Sequence, residues 1–146
     1  MNRAKVSVVM PVFGKAPFFE QAVESVLAQT YLDWELIVAL DRPSRETYLL
    51  AGSLERKDSR ITICESKAPG ISHALNFAIS IAVGDFICRL DADDVMLSTR
   101  LGVQIAAFKQ NPQALCIGSQ VVFVDESGAR LGVSRYPQHD LSLIHI

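Results

Sequence analysis

Short apolar runs alternate along the chain with stretches in which apolar residues recur at helical spacing. Residues 6–10 are apolar and largely β-branched, and Pro11 ends them, which predicts a buried strand of the kind found in parallel sheets. The next stretch has one apolar helical face, formed by Phe19, Ala22, Val23, Val26 and Leu27. Residues 34–40 predict a second buried strand, which leads to Asp41.

The alternation continues through the middle of the chain. Ser44 is predicted to cap a weaker helix, and residues 61–64 predict a short third strand. Another helical face ends before Gly84, which is predicted to cap it; this face contains Leu75, Ala78, Ile79 and Ala82. Residues 85–90 predict a fourth strand that leads directly into an acidic segment.

Beyond the acidic segment, the pattern predicts one more helix and one long strand. The helix ends at an Asn-Pro pair, and its apolar face contains Leu101, Ile105 and Phe108. Residues 115–124 predict the strand, and residues 125–128 predict a turn after it. Strands that alternate with helices in this way indicate βαβ units, and hence an α/β fold with a mostly parallel central sheet flanked by helices.

Polar or turn residues follow three of the predicted strands, at positions 11–14, 41–44 and 91–94. In open parallel sheets with right-handed crossovers, ligands bind outside the carboxyl ends of the strands. We therefore expect the functional site at this edge of the sheet.

Composition bounds the class of protein. The chain has 146 residues, 14 basic and 16 acidic side chains and a net charge of -2, which suits a single domain over residues 1–146. The near-neutral charge argues against a nucleic-acid-binding face. No apolar run approaches the ~20 residues that span a bilayer. Residues 1–5 lead straight into the first strand without the features of a signal peptide, so we expect a cytoplasmic protein.

The chain is more apolar than its charge alone would suggest, with 49% hydrophobic residues and a mean hydropathy of +0.23. Either most strands are buried on both faces, or a partner surface is missing. Residues 141–146 are mostly apolar and lack a polar terminator, so we expect a chain truncated at its C-terminus. Cys64 and Cys88 lie inside apolar runs, which predicts buried, unreactive thiols.

The acidic segment, residues 91–94, brings together the carboxylates of Asp91, Asp93 and Asp94. Carboxylates this close repel one another unless a cation or hydrogen-bond donors compensate. One explanation is Mg²⁺ or Mn²⁺, held by one or two carboxylates together with substrate phosphates. The other is a loop in which Asp94 or Ser98 caps the next helix. The spacing leaves both explanations open and excludes an EF-hand loop.

Asp41 stands at the same edge of the predicted sheet. It is either a turn or cap residue, or an acceptor for a donor group of a nucleobase or ribose. The chain has neither Gly-x-Gly-x-x-Gly nor Gly-x-x-x-x-Gly-Lys, so neither a nicotinamide site nor a P-loop is supported. If a nucleotide binds, a metal ion must therefore hold its phosphates.

Five blocks of the sequence, taken in order, resemble family 2 inverting glycosyltransferases. They are VSVVMPVFG at 6–14, AVESVLAQTY at 22–31, WELIV at 34–38, GISHALN at 70–76 and GDFICRLDADD at 84–94. The resemblance extends over roughly residues 5–128. Because several blocks occur in the same order and at familiar spacing, the match is more specific than the acidic segment alone.

This resemblance implies a Rossmann-like GT-A fold that binds a nucleotide-sugar donor. The family's Asp-x-Asp motif falls on Asp91 and Asp93, with Asp93 the direct ligand of Mg²⁺ or Mn²⁺ and Asp91 nearer the donor ribose. The family's aromatic residue falls on Phe13, which would pack on the base, and its base-recognising acid falls on Asp41. The donor-binding positions implied in this way are Pro11, Val12, Phe13, Asp41, Asp91, Ala92 and Asp93.

The chain departs from the family pattern near the implied base site. Phe13 replaces the usual Tyr and cannot donate a hydroxyl hydrogen bond, and Gly14 stands where the family usually has Asn. Where the family often has Asp-Asp-Gly-Ser, residues 40–44 are Leu-Asp-Arg-Pro-Ser. The loss of the first acid and of the glycine changes the expected turn and bears on the preferred nucleotide.

The implied reaction is metal-dependent transfer of a sugar, with inversion, from a nucleotide sugar, expected to be a UDP-sugar, to a saccharide or lipid-linked acceptor. The implied setting is bacterial surface polysaccharide assembly, with peripheral association at the inner face of the membrane. The family's general base lies beyond the matched residues, and the late acids Asp125, Glu126 and Asp140 have no motif context, so no residue is assigned to this role.

Two alternatives compete with an active transferase. A nucleotidyltransferase would have a glycine-rich basic loop after the first strand, whereas residues 12–17 are poor in glycine. A catalytically incomplete nucleotide-binding half-domain would keep the donor site alone.

Two further residues lie near the implied site. Arg89 is expected to pair either with phosphate or with the acidic segment. His73 is expected to be a surface or capping residue.

Overall fold

A computed structural model describes residues 5–134, which form two compact units that divide after Ala106. The first unit contains a four-stranded parallel sheet with the strand order β3-β2-β1-β4. The strands are β1 (Val6–Phe13), β2 (Trp34–Asp41), β3 (Ile61–Glu65) and β4 (Phe86–Arg89). The helices are α1 (Phe19–Leu27), α2 (Arg45–Lys57), α3 (Ile71–Ile81) and α4 (Arg100–Gln110), and the unit boundary falls within α4. This arrangement confirms the predicted α/β fold.

The central strands β1 and β2 are buried along almost their whole length. Pro11 does not end β1, contrary to prediction: the strand continues to Phe13 and pairs with β2 throughout. The physical reason is that β4 ends at Arg89, level with Val9. Beyond Val9, β1 has a neighbour on one side only, and proline is tolerated where a strand edge is open.

The helices cover both faces of the sheet. On one face, α1, α2 and the start of α4 pack against Val8, Met10, Leu36 and other strand residues. On the other face, Ala74 and Ala78 of α3 pack against the remaining strand side chains, which are Val9, Ile37 and Ala39. This two-sided burial explains why β1 and β2 are continuous apolar runs and accounts for part of the apolar composition.

The helix termini confirm some predictions and correct others. The predicted face of α1 is observed, with Leu27 only partly buried. Ser44 caps α2 as predicted, accepting a hydrogen bond from the Thr47 N–H at 3.1 Å. In α3, however, Ile79 is 44% exposed, because the short side chains of Ala74 and Ala78 form the contact with the sheet.

Gly84 is not the cap of α3: the helix ends at Ile81, and Ala82, in an extended conformation, is its C-cap. A Cβ at Gly84 would lie 2.6 Å from the Ser7 backbone nitrogen and 2.9 Å from the Lys5 carbonyl oxygen. The Gly84 N–H donates to Ser7 Oγ at 2.8 Å. Glycine is therefore required because two backbone segments pass too close for a side chain.

The second unit contains an antiparallel hairpin of β5 (Val122–Val124) and β6 (Arg130–Val133). The turn predicted at 125–128 is confirmed: the Asp125 side chain accepts hydrogen bonds from the N–H groups of Ser127 and Ala129, and Gly128 has φ +83°. The long strand predicted over 115–124 is wrong, since within residues 5–134 this stretch forms a strand only at Val122–Val124. The apolar residues 141–146 and Asp140 lie outside the described residues.

Two further sequence features can be compared with the described part of the chain. Cys88 is buried as predicted, whereas Cys64 is only half-buried, because the edge strand β3 is covered less completely. Burial raises the pKa of both thiols, which supports the prediction that they are unreactive. No helix between residues 5 and 134 has both the length and the apolar character needed to cross a bilayer.

Candidate donor site at the carboxyl edge of the sheet

The three predicted site segments meet at one edge of the sheet. Phe13 and Asp41 end neighbouring strands and pair directly in register. The acidic segment follows β4, which is the neighbour of β1 on its other side. Phe13 therefore lies between Asp41 and the acidic segment along the edge, and about two strand spacings, or ~10 Å, separate β2 from β4.

Asp41 is a buried carboxylate, with 6% of its surface exposed. Its Oδ2 accepts the Gly70 N–H at 2.8 Å, and its Oδ1 accepts Nε–H of Arg42 at 3.0 Å. These hydrogen bonds, with that of Gly70 the strongest, hold the pKa of Asp41 below its usual value. One interpretation of the sequence made Asp41 a helix cap. It does not cap α2, because Ser44 does.

Phe13 presents an aromatic ring to solvent, with 64% of its surface exposed. The guanidinium carbon of Arg42 lies 5.1 Å from the centre of this ring. Of the two residues before Phe13, Pro11 is half-buried and the Val12 side chain is buried in the core.

The acidic segment has both paired and unpaired carboxylates. Arg89 binds Asp91 with two hydrogen bonds, from Nε at 2.9 Å and from Nη2 at 3.1 Å. The sequence left open whether Arg89 pairs with phosphate or with the acidic segment, and in the structure it pairs with the acidic segment. Ala92 is half-buried against the core. The Asp93 carboxylate is exposed and forms no hydrogen bond or ion pair within residues 5–134.

The charges of the segment are only partly compensated. Partial desolvation, followed by the charges of Asp93 and Asp91, raises the pKa of Asp94. The alternative in which Asp94 or Ser98 caps the next helix is not supported, because α4 begins only at Arg100. Uncompensated carboxylates of this kind attract a cation.

Whether a divalent ion fits can be judged from these donors. Residues 5–134 contain no group of three or more His, Cys, Asp or Glu side chains arranged to enclose a metal ion. Mg²⁺ and similar ions, however, often take only one or two carboxylates and complete their shell with water and substrate phosphates. The exposed, unpaired Asp93 beside Asp91 fits this open kind of site.

Buried hydrogen bonds anchor both ends of the acidic segment to the core. On the strand side, the Leu90 N–H donates to the Val9 carbonyl at 3.1 Å. On the helix side, the Met96 N–H donates to Ser25 Oγ at 3.0 Å. Leu90 and Met96 are both buried. The segment is therefore a short loop between two fixed points.

Gln29, just after α1, adds hydrogen bonds on the helix side of the acidic segment. Its side chain is 2% exposed and donates to the Leu97 carbonyl at 2.8 Å, while its Oε1 accepts the Leu101 N–H at 3.1 Å. The backbone N–H of Thr30 donates to the Ser98 carbonyl at 2.9 Å. The residues after α1 thus hold the chain from the acidic segment to the start of α4.

Sequence reasoning missed several of these residues. Ser25 and Gln29 lie in residues 22–31, one of the blocks that resemble the family. They are polar, spaced four apart and beside the apolar face of α1, and this pattern is the signal that indicates buried polar contacts. No sequence signal indicated that Arg42 or Gly70 would contact Asp41. His73 is exposed, and its Nδ1 lies 3.1 Å from the Pro69 carbonyl, which agrees with the predicted surface or capping role.

A parallel sheet with an aromatic residue, a buried acid and an acidic segment along its carboxyl edge is the arrangement of a GT-A fold. Solved structures share this fold. TarS (residues 1–349) from S. aureus superposes with a TM-score of 0.67 at 20% identity, over 74% of this chain and 33% of that TarS chain. The mannosyltransferase PcManGT from Pyrobaculum calidifontis, solved with GDP-Man and Mn²⁺, gives a TM-score of 0.58 at 25% identity, over 64% of this chain and 29% of PcManGT.

The family follows from the sequence match. The profile of glycosyl transferase family 2 matches residues 7–144, and the chain belongs to this family. The Escherichia coli protein WfgD, named UDP-Glc:alpha-D-GlcNAc-diphosphoundecaprenol beta-1,3-glucosyltransferase, is 34% identical over 128 residues, which cover 87% of this chain and 50% of WfgD. The chain spans about half the length of the first curated relatives it matches.

Proposed function

We propose that the chain binds a nucleotide-sugar donor at the carboxyl edge of its sheet and takes part in transferring the sugar to an acceptor. The observation that carries this proposal is the order of groups along the edge: Asp41, then Phe13, then the acidic segment. An aromatic face and a carboxylate acceptor suit a base, and the acidic segment, about 10 Å away, suits a metal-bound diphosphate.

Asp41 and Phe13 would bind the base. The exposed ring of Phe13 offers a stacking surface, and the Asp41 carboxylate, kept ionised at neutral pH, accepts an N–H of the base. Asp93 would be the direct ligand of Mg²⁺ or Mn²⁺, while Asp91 stands nearer the donor ribose. When bound, such an ion neutralises charge on the diphosphate and so makes the nucleoside diphosphate a better leaving group.

The donor nucleotide is proposed to be a uridine diphosphate sugar. The name of WfgD, the 34% identical relative, specifies UDP-Glc and a diphosphoundecaprenol-linked acceptor. PcManGT was solved with GDP-Man, so GDP is the nucleotide to compare against UDP.

For the acceptor we propose a saccharide or lipid-linked saccharide. We further propose that the protein associates peripherally with the inner face of the membrane. Attack by the acceptor opposite the leaving group would invert the anomeric carbon.

Calorimetric titration tests the donor site. UDP is expected to bind in the presence of Mn²⁺, and Asp93→Asn should weaken that binding at least tenfold through loss of a direct ligand. Asp33→Asn is the matched control, because Asp33 precedes β2 and lies at the opposite edge of the sheet. If UDP and GDP both fail to bind, or if Asp93→Asn binds like the wild type, the donor site is wrong.

Transfer itself needs a separate measurement, since the chain spans half the length of its relatives. Release of UDP from a UDP-sugar that depends on an added lipid-linked saccharide would indicate transfer. Nucleotide binding without such release would match the half-domain that the sequence left open. Release of pyrophosphate from a nucleoside triphosphate and a sugar phosphate would instead indicate a nucleotidyltransferase.

A further inference from the structure

Arg42 lies over the two groups that we assign to the nucleobase. Its guanidinium carbon is 5.1 Å from the centre of the Phe13 ring, and its Nε is 3.0 Å from Oδ1 of Asp41. Its backbone has φ +47°, in the left-handed region that few residues other than glycine adopt. This is the position at which the chain departs from the glycine-containing family pattern.

The contacts of Arg42 are of the same two kinds that a bound base would make. A base stacks on an aromatic face and donates an N–H to a carboxylate. Oδ2 of Asp41 accepts the Gly70 N–H, Oδ1 accepts Nε–H of Arg42, and the residue is 6% exposed. Because so little of the Asp41 carboxylate is accessible, we infer that a base contacts both Phe13 and Asp41 only after Arg42 moves.

Arg42 is also weakly held. About two thirds of its side chain is exposed, and its ion pair with Asp41 uses Nε alone rather than a bidentate fork. The cation–π contact is exposed and therefore weak, and the ion pair is open to solvent on its Arg42 side although Asp41 is buried. A ligand that makes both contacts with a planar ring can therefore displace it.

We propose that Arg42 occupies the base subsite of the unliganded chain and that a nucleobase must displace it, so that Arg42 sets the affinity of this subsite. The proposal rests on the proposed function, because it takes Phe13 and Asp41 as the base-binding groups. It assigns to Arg42 a role that opposes binding, whereas a cation near a diphosphate would ordinarily favour it.

The test compares nucleotide affinity with affinity for a ligand that has no base. UDP and inorganic pyrophosphate are titrated, each with Mn²⁺, into the wild type and into Arg42→Gly and Arg42→Ala. Arg42→Gly suits the positive φ, and Arg42→Ala checks that added backbone freedom is not the cause. Both variants should bind UDP about three- to tenfold more tightly, with pyrophosphate affinity unchanged or slightly reduced.

Arg45→Ala is the matched control for charge. Arg45 is exposed at the start of α2, three residues from Arg42, and removing it should leave UDP affinity unchanged or slightly lower. Unchanged or weaker UDP binding by both Arg42 variants would overturn the proposal, as would an equal gain for pyrophosphate.

The two proposals fail in different ways. If the wild type binds UDP and Asp93→Asn does not, while the Arg42 variants bind like the wild type, the donor site stands and the role of Arg42 falls. If neither the wild type nor any Arg42 variant binds UDP or GDP, both fall. If the wild type binds UDP and both Arg42 variants bind it more tightly, with pyrophosphate affinity unchanged, both are supported.

Discussion

Gly84 lies where the chain passes so close to β1 that only a hydrogen atom fits. We expect Gly84→Ala to destabilise the protein by about 2–4 kcal/mol, because a Cβ would lie 2.6 Å from a backbone nitrogen and the strand would have to shift. The midpoint and slope of urea unfolding, measured for the variant and the wild type, give this difference in free energy.

Gly52→Ala is the matched control for this substitution. Gly52 lies inside α2, where the nearest atom to an added Cβ is the mobile end of Arg56 at 3.7 Å. Because alanine favours a helix over glycine, this variant should be about 0.5–1 kcal/mol more stable. Equal destabilisation by both variants would contradict the close-approach explanation.

Glu35 makes stability depend on pH. Burial, the largest single influence, favours its neutral form, but hydrogen bonds from Ser7 and the Val83 N–H and the charge of Lys5 outweigh it and lower the pKa. Because the folded-state pKa is below the ordinary value of 4.5, the stabilisation is complete above pH 4.5. It is lost as the pH falls from there through the folded-state pKa.

Replacing this carboxylate should therefore flatten the acid side of the stability profile. Glu35→Gln is expected to be about 1–2 kcal/mol less stable than wild type at pH 7, because hydrogen bonds to a charged acceptor are lost. The difference between the two proteins should shrink as the pH falls from 5 to 3. A difference that stays constant over this range, in urea unfolding at each pH, would contradict the role of the charge.

At the scale of elements, α1 fixes the position of the acidic segment. Ser25 and Gln29 accept the Met96 and Leu101 N–H groups, and Gln29 also donates to the Leu97 carbonyl. Gln29→Ala should destabilise the protein by about 2–4 kcal/mol, because the buried N–H of Leu101 is left without an acceptor. Urea unfolding gives the size of the loss, and hydrogen exchange locates it.

The exchange pattern distinguishes anchoring of this segment from a general loss of stability. In Gln29→Ala, the Leu101 amide should exchange faster than global unfolding alone would explain. Gln21→Ala replaces an exposed glutamine within α1 and should change stability by no more than about 0.5 kcal/mol, with the Leu101 exchange rate unchanged. Uniform acceleration across the sheet in Gln29→Ala would argue against a local anchor.

The elements also show what a sequence pattern can and cannot predict. Strands β1 and β2 were predictable because burial on both faces makes a continuous apolar run. The strand expected over 115–124 failed because β-branched residues favour a strand only where another strand pairs with them. Within residues 5–134, Val122–Val124 is the part of this stretch that pairs with a strand. Pairing depends on contacts distant in sequence, which periodicity does not record.

The candidate site was predictable to the same limited extent. The topology of alternating strands and helices places Phe13, Asp41 and Asp91 at one edge, so their proximity followed from the pattern. The contact of Arg42 with Phe13 depends on a left-handed backbone at a non-glycine residue, which propensities disfavour. The hydrogen bond from Gly70 to Asp41 depends on where α3 begins in space.

At the scale of the whole molecule, the parallel sheet brings Phe13, Asp41 and the acidic segment to one edge, and the chain belongs to glycosyl transferase family 2. We propose that these groups bind the two ends of a nucleoside diphosphate. The general base for transfer is not among the residues assigned, so binding of the donor is the central claim for this chain.

The most direct measurement of this claim is calorimetric titration of UDP into the chain with and without Mn²⁺, repeated for Asp93→Asn and Asp41→Asn. We predict that UDP binds only with Mn²⁺ and that Asp93→Asn binds UDP at least tenfold more weakly in the presence of Mn²⁺. Asp41→Asn should weaken binding of UDP but not of pyrophosphate. Binding of UDP that is the same with and without Mn²⁺ and unchanged in both variants would contradict the account.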